Sequence, residues 1–198
     1  MSPSYLKLAH ERASQVHANY CQPEQFGYDF RDWVSPYTKS ASRVGEIAFV
    51  LQDWASETAL CSGVNKTIQE FGRDPAVKTN IYLEKLLSRV FGLSLEDVYV
   101  TNAFPFVKSG GMSSPIPFRD VVACVKQFAK RELELAQPKV TCALGAVAFR
   151  ALAANGIAAT RLPHPAARIG SVEKHEEIWR SKLCSLNLSP LQRASRFP

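Results

Sequence analysis

Ile47-Ala48-Phe49-Val50-Leu51, followed by Gln52-Asp53-Trp54, is the stretch that decides how this chain is read. Five apolar residues in an unbroken run, bounded by a polar pair, fit a strand buried on both faces, as in a parallel sheet. The polar pair then marks the carboxyl end of that strand. Three more strands are predicted downstream, at 98–101, at 140–144 closed by Gly145, and at 157–162 ending in Pro163-His164-Pro165. Helices are predicted between them at 80–91, from 118 to about 136, and at 146–154. Pro117 stands near the first turn of the second of these, where proline is tolerated.

Outward from this frame, residues 5–20 read as a helix with Leu6, Ala9, Ala13 and Val16 at helical spacing. Residues 57–73 are ambiguous, and a last helix is predicted over 172–184. Strand and helix alternate four times, which predicts an α/β fold: a three-layer α/β/α sandwich around a central four-stranded parallel sheet. We expect a single domain over 1–198. Residues 1–44 supply an N-terminal helix and an aromatic-rich cover, and 185–198 a basic tail. Phe26, Tyr28, Phe30, Trp33 and Tyr37 suit a packed cover or part of a binding surface; the large apolar area of these rings favours the cover.

A chain of 198 residues, 46% hydrophobic and 21% charged, has the composition of an ordinary globular protein. Its net charge of +6 suits a nucleic-acid partner without establishing one. The five cysteines are odd in number and form no CxxC, which argues against a disulfide framework and a zinc ribbon. Reduced thiols in the cytoplasm are the simpler expectation. No signal peptide and no membrane-crossing run is expected.

In open α/β sheets, ligands bind beyond the carboxyl ends of the strands. Those ends carry Gln52-Asp53-Trp54, Asn102, Gly145 and His164. Each residue also has a plainer reading. Asp53 suits a helix N-cap, Asn102 a turn, and Trp54 packing. His164 is different, because flanking prolines force an extended, exposed turn.

Four segments together resemble the uracil-DNA glycosylase superfamily. Gln52-Asp53 after an apolar strand is similar to the GQDPYH motif of the family-1 enzymes. VYVTNAFPF, residues 98–106, resembles the superfamily's second strand, which ends in a base-reading asparagine. VTCALGAVAFRAL, residues 140–152, looks like a family-4 segment. LPHPAARIG, residues 162–170, resembles the motif that carries the superfamily's histidine and DNA wedge. The order and spacing agree over roughly residues 45 to 170. The resemblance implies hydrolysis of the N-glycosidic bond of a uracil, or another deaminated base, flipped out of DNA. It implies catalytic roles for Asp53 and His164 and base contacts for Gln52, Asn102 and Trp54. It implies a DNA wedge at Arg168 and Ile169.

The chain departs from the family patterns at four places. Ala55 stands where family 1 has a thymine-excluding tyrosine, and Trp54 where it has proline. Ala76 stands where family 4 has its base-stacking phenylalanine, with Phe71 as a possible substitute. Only Cys124 matches a cluster ligand of family 4, and Phe106 stands at another ligand position. One thiolate cannot hold an iron–sulfur cluster, so no cofactor and no metal are expected. The wedge loop reads Ala166-Ala167-Arg168-Ile169, without the family-1 leucine. The loop beginning at Lys108, with Ser109, Gly110 and Ser113, suits phosphate contact or a flexible connector equally well.

Three functions follow. The leading one is a monofunctional DNA glycosylase acting as a monomer on DNA, without a membrane. The second is a catalytically reduced nucleic-acid-binding protein on the same scaffold, motivated by Ala55 and Ala76. The third is a small-substrate hydrolase using Asp53 and His164 as an acid–base pair. No GxSxG serine and no phosphate-binding glycine fingerprint supports it.

Overall fold

The structure is a computed structural model that describes residues 3–16, 19–33, 35 and 46–184. Its sheet has five strands: β1 (Tyr20–Cys21), β2 (Ile47–Ser56), β3 (Tyr99–Lys108), β4 (Val140–Leu144) and β5 (Thr160–Leu162). Their order is β1-β3-β2-β4-β5. The four predicted strands are present and parallel. The expected count of four is corrected to five, because the two-residue β1 pairs antiparallel with the outer edge of β3. Two residues carry too little pattern to be seen in sequence.

The helices are α1 (Pro3–Ala13), α2 (Glu57–Leu60), α3 (Lys66–Phe71), α4 (Lys78–Leu86), α5 (Phe118–Cys124), α6 (Lys130–Ala136), α7 (Ala146–Ala154) and α8 (Val172–Cys184). A π-helical turn at Leu87–Phe91 extends α4, and another at Val125–Ala129 joins α5 to α6. The helix predicted over 5–20 stops at Ala13; Val16, counted toward its apolar face, is 93% exposed.

Alternation along β2 builds the three layers. Ala48 and Val50 pack with Tyr99, Ala103 and Ala143 beneath Val121, Val125, Ala148 and Leu152 of the helices after β3 and β4. Ile47, Phe49 and Leu51 pack on the other face against Leu83 and Leu86 of α4 and Trp179 and Leu183 of α8. Each large side chain so buried contributes on the order of 1.5–3 kcal/mol. A third cluster joins Tyr28, Phe30 and Trp33 to Trp54 and Ala55, so these aromatics form a packed cover. Tyr37 and residues 185–198 lie outside the described residues.

A buried polar network ties α1 to the sheet. Arg12 stands 3.7 Å from Glu132 and donates to the Trp33 carbonyl at 2.6 Å. Tyr99 and Thr101 of β3 both donate to the Glu132 carboxylate. Burial pushes the Glu132 carboxyl above its ordinary value, against the opposing pull of Arg12.

The strand order creates the site. From β2 the chain passes along the α4 face to β3; from β4 it passes along the α7 face to β5. Connections that leave neighbouring parallel strands toward opposite faces open a crevice at their carboxyl ends.

Candidate active site

A cavity of about 280 Å³ lies at that crevice, and both Asp53 and His164 line it. Leu51, Trp54, Ala55, Leu60, Ile68 and Val77 supply an apolar wall. Asp74, Thr79 and Asn80 add polar groups, and Met112 stands at the cavity with 53% of its surface exposed. Positions 53 and 164, 111 residues apart in sequence, therefore meet in one pocket.

Asp53 is held within a strand rather than after one. The sequence placed the end of β2 at Leu51, because Gln52-Asp53 breaks the apolar run. The ladder instead continues to Ser56, since β3 is equally long and offers partners: Asp53 pairs with Phe104, Ala55 with Val107 and Ser56 with Lys108. Between Asp53 and Ala55, two steps on β2 face three on β3, and the extra β3 residue falls at Pro105-Phe106. Proline has no N–H for a ladder and is confined to edges and bulges, so Pro105 accounts for the irregularity.

Lys108 is thus the last residue of β3, not the start of a loop. Its Nζ lies 2.8 Å from Asp53 Oδ2 and donates to the Met112 carbonyl at 2.6 Å. The lysine side chain is 3% exposed. The expected phosphate contact is corrected here: this cation faces inward onto a carboxylate.

The rest of that loop is also tied to protein. Gly110 N–H donates to Glu57 at 3.0 Å, and the Ser109 hydroxyl donates to the Asn19 carbonyl at 3.1 Å. The Gly110 carbonyl accepts from both the amide and the hydroxyl of Thr58. The Ser109 hydroxyl and the Gly110 amide, read in sequence as phosphate contacts or as part of a connector, are thus engaged by protein groups. Ser113 is exposed.

His164 is set by the turn that follows β5. The Ala166 amide donates to its Nδ1 at 3.2 Å, and the Ala167 amide donates to its carbonyl at 2.8 Å. An imidazole that accepts at Nδ1 carries its proton on Nε2 when neutral. Burial lowers the pKa of His164 below the usual histidine value; Asp53 opposes this and His175 adds to it. The ring is therefore neutral at neutral pH with a donor at Nε2. Gly145 stands beside it at φ +102°, a backbone conformation that favours glycine; a Cβ there would meet the His164 Cβ at 3.5 Å, an ordinary van der Waals contact. Trp179 closes the turn from α8, its indole donating to the Pro163 carbonyl at 3.3 Å.

Asn102 lies inside β3, in register with Leu51, rather than at the end of a strand. Its side chain is buried, and neither its oxygen nor its nitrogen has a hydrogen-bond partner among the described residues. Leaving such groups unmet costs about 1–3 kcal/mol each. Registered partners on parallel strands share a face, so this amide stands on the side of Leu51, which walls the cavity.

The other predicted residues separate. Trp54 is buried, lines the cavity, and donates from its indole to the Gly72 carbonyl at 2.7 Å. Gln52 is half-buried and is not a wall of the cavity. Phe71, at the end of α3, is 47% exposed and does not line it either; its place in the stacking role is not supported by position. Ala76 is exposed beside Val77, which does line it. Arg168 and Ile169 are exposed on the loop after His164.

Cys124 is packed among Leu8, Phe104, Phe106 and Phe128, and burial pushes its thiol up to about 12. These residues do not fit an iron–sulfur cluster: a cluster needs several thiolates, and no group of three metal-ligating side chains occurs among the described residues. Asp74, Asn80 and Met112 were not singled out in sequence. Asp74 and Asn80 come together because Asn80 Nδ2 donates to the Asp74 carbonyl at 2.7 Å, a tie that local pattern does not announce.

The family model described as the uracil DNA glycosylase superfamily matches residues 65–184, more than half of the chain. The match takes in Asn102, Lys108 and His164, and begins after Asp53. No curated protein matches the chain.

Proposed function

The chain belongs to the uracil DNA glycosylase superfamily, and on that premise we propose that it hydrolyses the N-glycosidic bond of uracil or another deaminated base in DNA. The observation that carries this reading is the meeting of Asp53 and His164 in one cavity with a fixed imidazole tautomer. The target bond is hidden within stacked DNA, so the nucleotide must first leave the stack and enter the cavity. Arg168 and Ile169, exposed on the loop that follows His164, suit the role of wedge.

Cleavage leaves positive charge on the sugar and negative charge on the base. Neutral His164 donates from Nε2 to the base oxygen that gains charge, a stabilisation aimed at the transition state. Asp53 keeps one carboxylate oxygen on Lys108; its other oxygen orients water and faces the cationic sugar. Water supplies hydroxyl to the anomeric carbon and its proton to the departing base. The unmet carboxamide of Asn102 has both a donor and an acceptor, which matches the edge of uracil. Ala55 lines the cavity where a tyrosine would bar a 5-methyl group, so selection against thymine is weak in this reading.

The test is release of free base from labelled single- and double-stranded oligonucleotides that carry uracil, hypoxanthine, xanthine or thymine mismatches. Release from at least one deaminated substrate is expected. No release from any of them would sink the reading.

One observation favours a second reading, a DNA-binding protein with reduced turnover: the Asp53 carboxylate is already paired with a cation. Salt-sensitive DNA binding with no abasic site formed would support it.

A further inference from the structure

Lys108 is a buried charged group at the site that takes part in no bond made or broken in the proposed chemistry. It occupies the site and contacts its carboxylate, yet it neither lines the cavity nor reaches the surface. We propose that Lys108 is a positioning residue for Asp53, one that holds the carboxylate in its working orientation and ties it to the rim of the cavity. The inference rests on the reading of Asp53 as catalytic.

Three observations carry it. First, the ammonium has two partners, Asp53 Oδ2 at 2.8 Å and the Met112 carbonyl at 2.6 Å. A buried charge is tolerated when it is paired and hydrogen-bonded, and each partner is then fixed in turn. One Asp53 oxygen is held, which leaves the other for the cavity that Asp53 lines.

Second, the placement is built into the strand. Pro105 accompanies the extra residue on β3, and that residue sets Lys108 level with Ser56. Lys108 is the last residue of this ladder and Asp53 lies within it, so both ends of the ion pair are carried by neighbouring strands of the sheet rather than by a loop.

Third, the other contact of the ammonium reaches the rim. Met112 is half exposed, lines the cavity, and follows Gly110, whose amide and carbonyl are fastened to Glu57 and Thr58. One ammonium thus joins the reacting carboxylate to the loop that a flipped base must pass. Small displacements of a reacting group are costly in rate, so a strut of this kind acts on the chemical step more than on binding.

A phosphate contact and a strut differ in what they move. Single-turnover release from a uracil-containing duplex, measured over a range of salt, separates them. Lys108→Met is expected to lower the saturating rate at least tenfold, with the half-saturating DNA concentration and the salt slope unchanged. Because that variant leaves a carboxylate buried without its cation, the comparison is repeated in an Asp53→Asn background, where both groups are neutral. There Lys108→Met is expected to change the rate less than twofold, since the strut has nothing left to hold.

A saturating rate left intact, with a salt slope shallower by about 0.9, would identify a phosphate contact and overturn the proposal. A tenfold loss that persists in the Asp53→Asn background would overturn it as well. Absence of turnover in the unmodified protein overturns the glycosylase reading and this inference together. Full turnover in Lys108→Met overturns this inference alone.

Discussion

The loop after β5 and the loop after β3 both carry residues that suit a DNA backbone, but they are used differently. After β5, Arg168 and Ile169 stand exposed beyond a turn that fixes His164. After β3, the lysine is turned inward onto Asp53, and Ser109 and Gly110 are fastened to Asn19, Glu57 and Thr58. The difference lies in non-local partners. A glycine- and serine-rich loop with a lysine offers the same donors whether its anion is a phosphate or a carboxylate of the same chain. Glu57 and Asp53 decide the matter, about fifty residues upstream.

This contrast can be broken most forcefully at His164. Removing a single donor aimed at developing negative charge commonly costs about 10²–10³ in rate. His164→Ala is expected to lose that much in single-turnover base release, while Ser113→Ala stays within twofold. Equal losses would erase the distinction between the loops.

Gly145→Ala tests how the first loop is supported. Gly145 has φ +102° and ψ 172°, a conformation essentially reserved for glycine. A destabilisation of about 1–3 kcal/mol is expected in denaturant unfolding. A neutral result would show that the approach of His164 does not depend on this backbone.

Arg168→Ala separates the loops by charge. A shallower salt slope of DNA binding, by about 0.9, is expected if Arg168 meets one phosphate. Ser109→Ala is expected to leave the slope unchanged. The reverse pattern would return the phosphate role to the loop after β3.

The smallest expected effect is on stability against pH. Burial lowers the pKa of His164 from its ordinary 6.5, so the unfolded chain binds this proton more readily than the folded one. The stabilisation is fully present above about 6.5 and is lost as pH falls through the lowered folded value. Protonation at Nδ1 also sets two donors against each other at the Ala166 amide. Melting temperatures from pH 8 to 5 are expected to fall less in His164→Asn than in the unmodified protein. Parallel curves would contradict the burial argument.

Much of the frame is legible in sequence, and the exceptions have common causes. Val140–Leu144, Ala146–Ala154 and Val172–Cys184 form the predicted strand and helices at the predicted bounds. Their apolar periodicity is local and unbroken. β2 and β3 run on through Gln52-Asp53 and through Pro105 because each is the other's partner, and polar or proline residues in a ladder look like stops until the partner is known. The position of His164 just after a strand is legible, since two prolines flank it. The position of Asn102 inside β3 is not, because it depends on the partner strand. The inward turn of Lys108 is illegible, because it depends on a carboxylate from another strand.

Asp53 and His164 are proposed to work in one cavity to cleave a glycosidic bond. That proposal is tested most directly by single-turnover release of base from the best substrate, comparing the unmodified protein with Asp53→Asn at saturating protein. Base release with an abasic product is expected from the former. A rate at least a hundredfold lower, with DNA affinity retained, is expected from the latter. Equal rates from the two proteins would contradict the account.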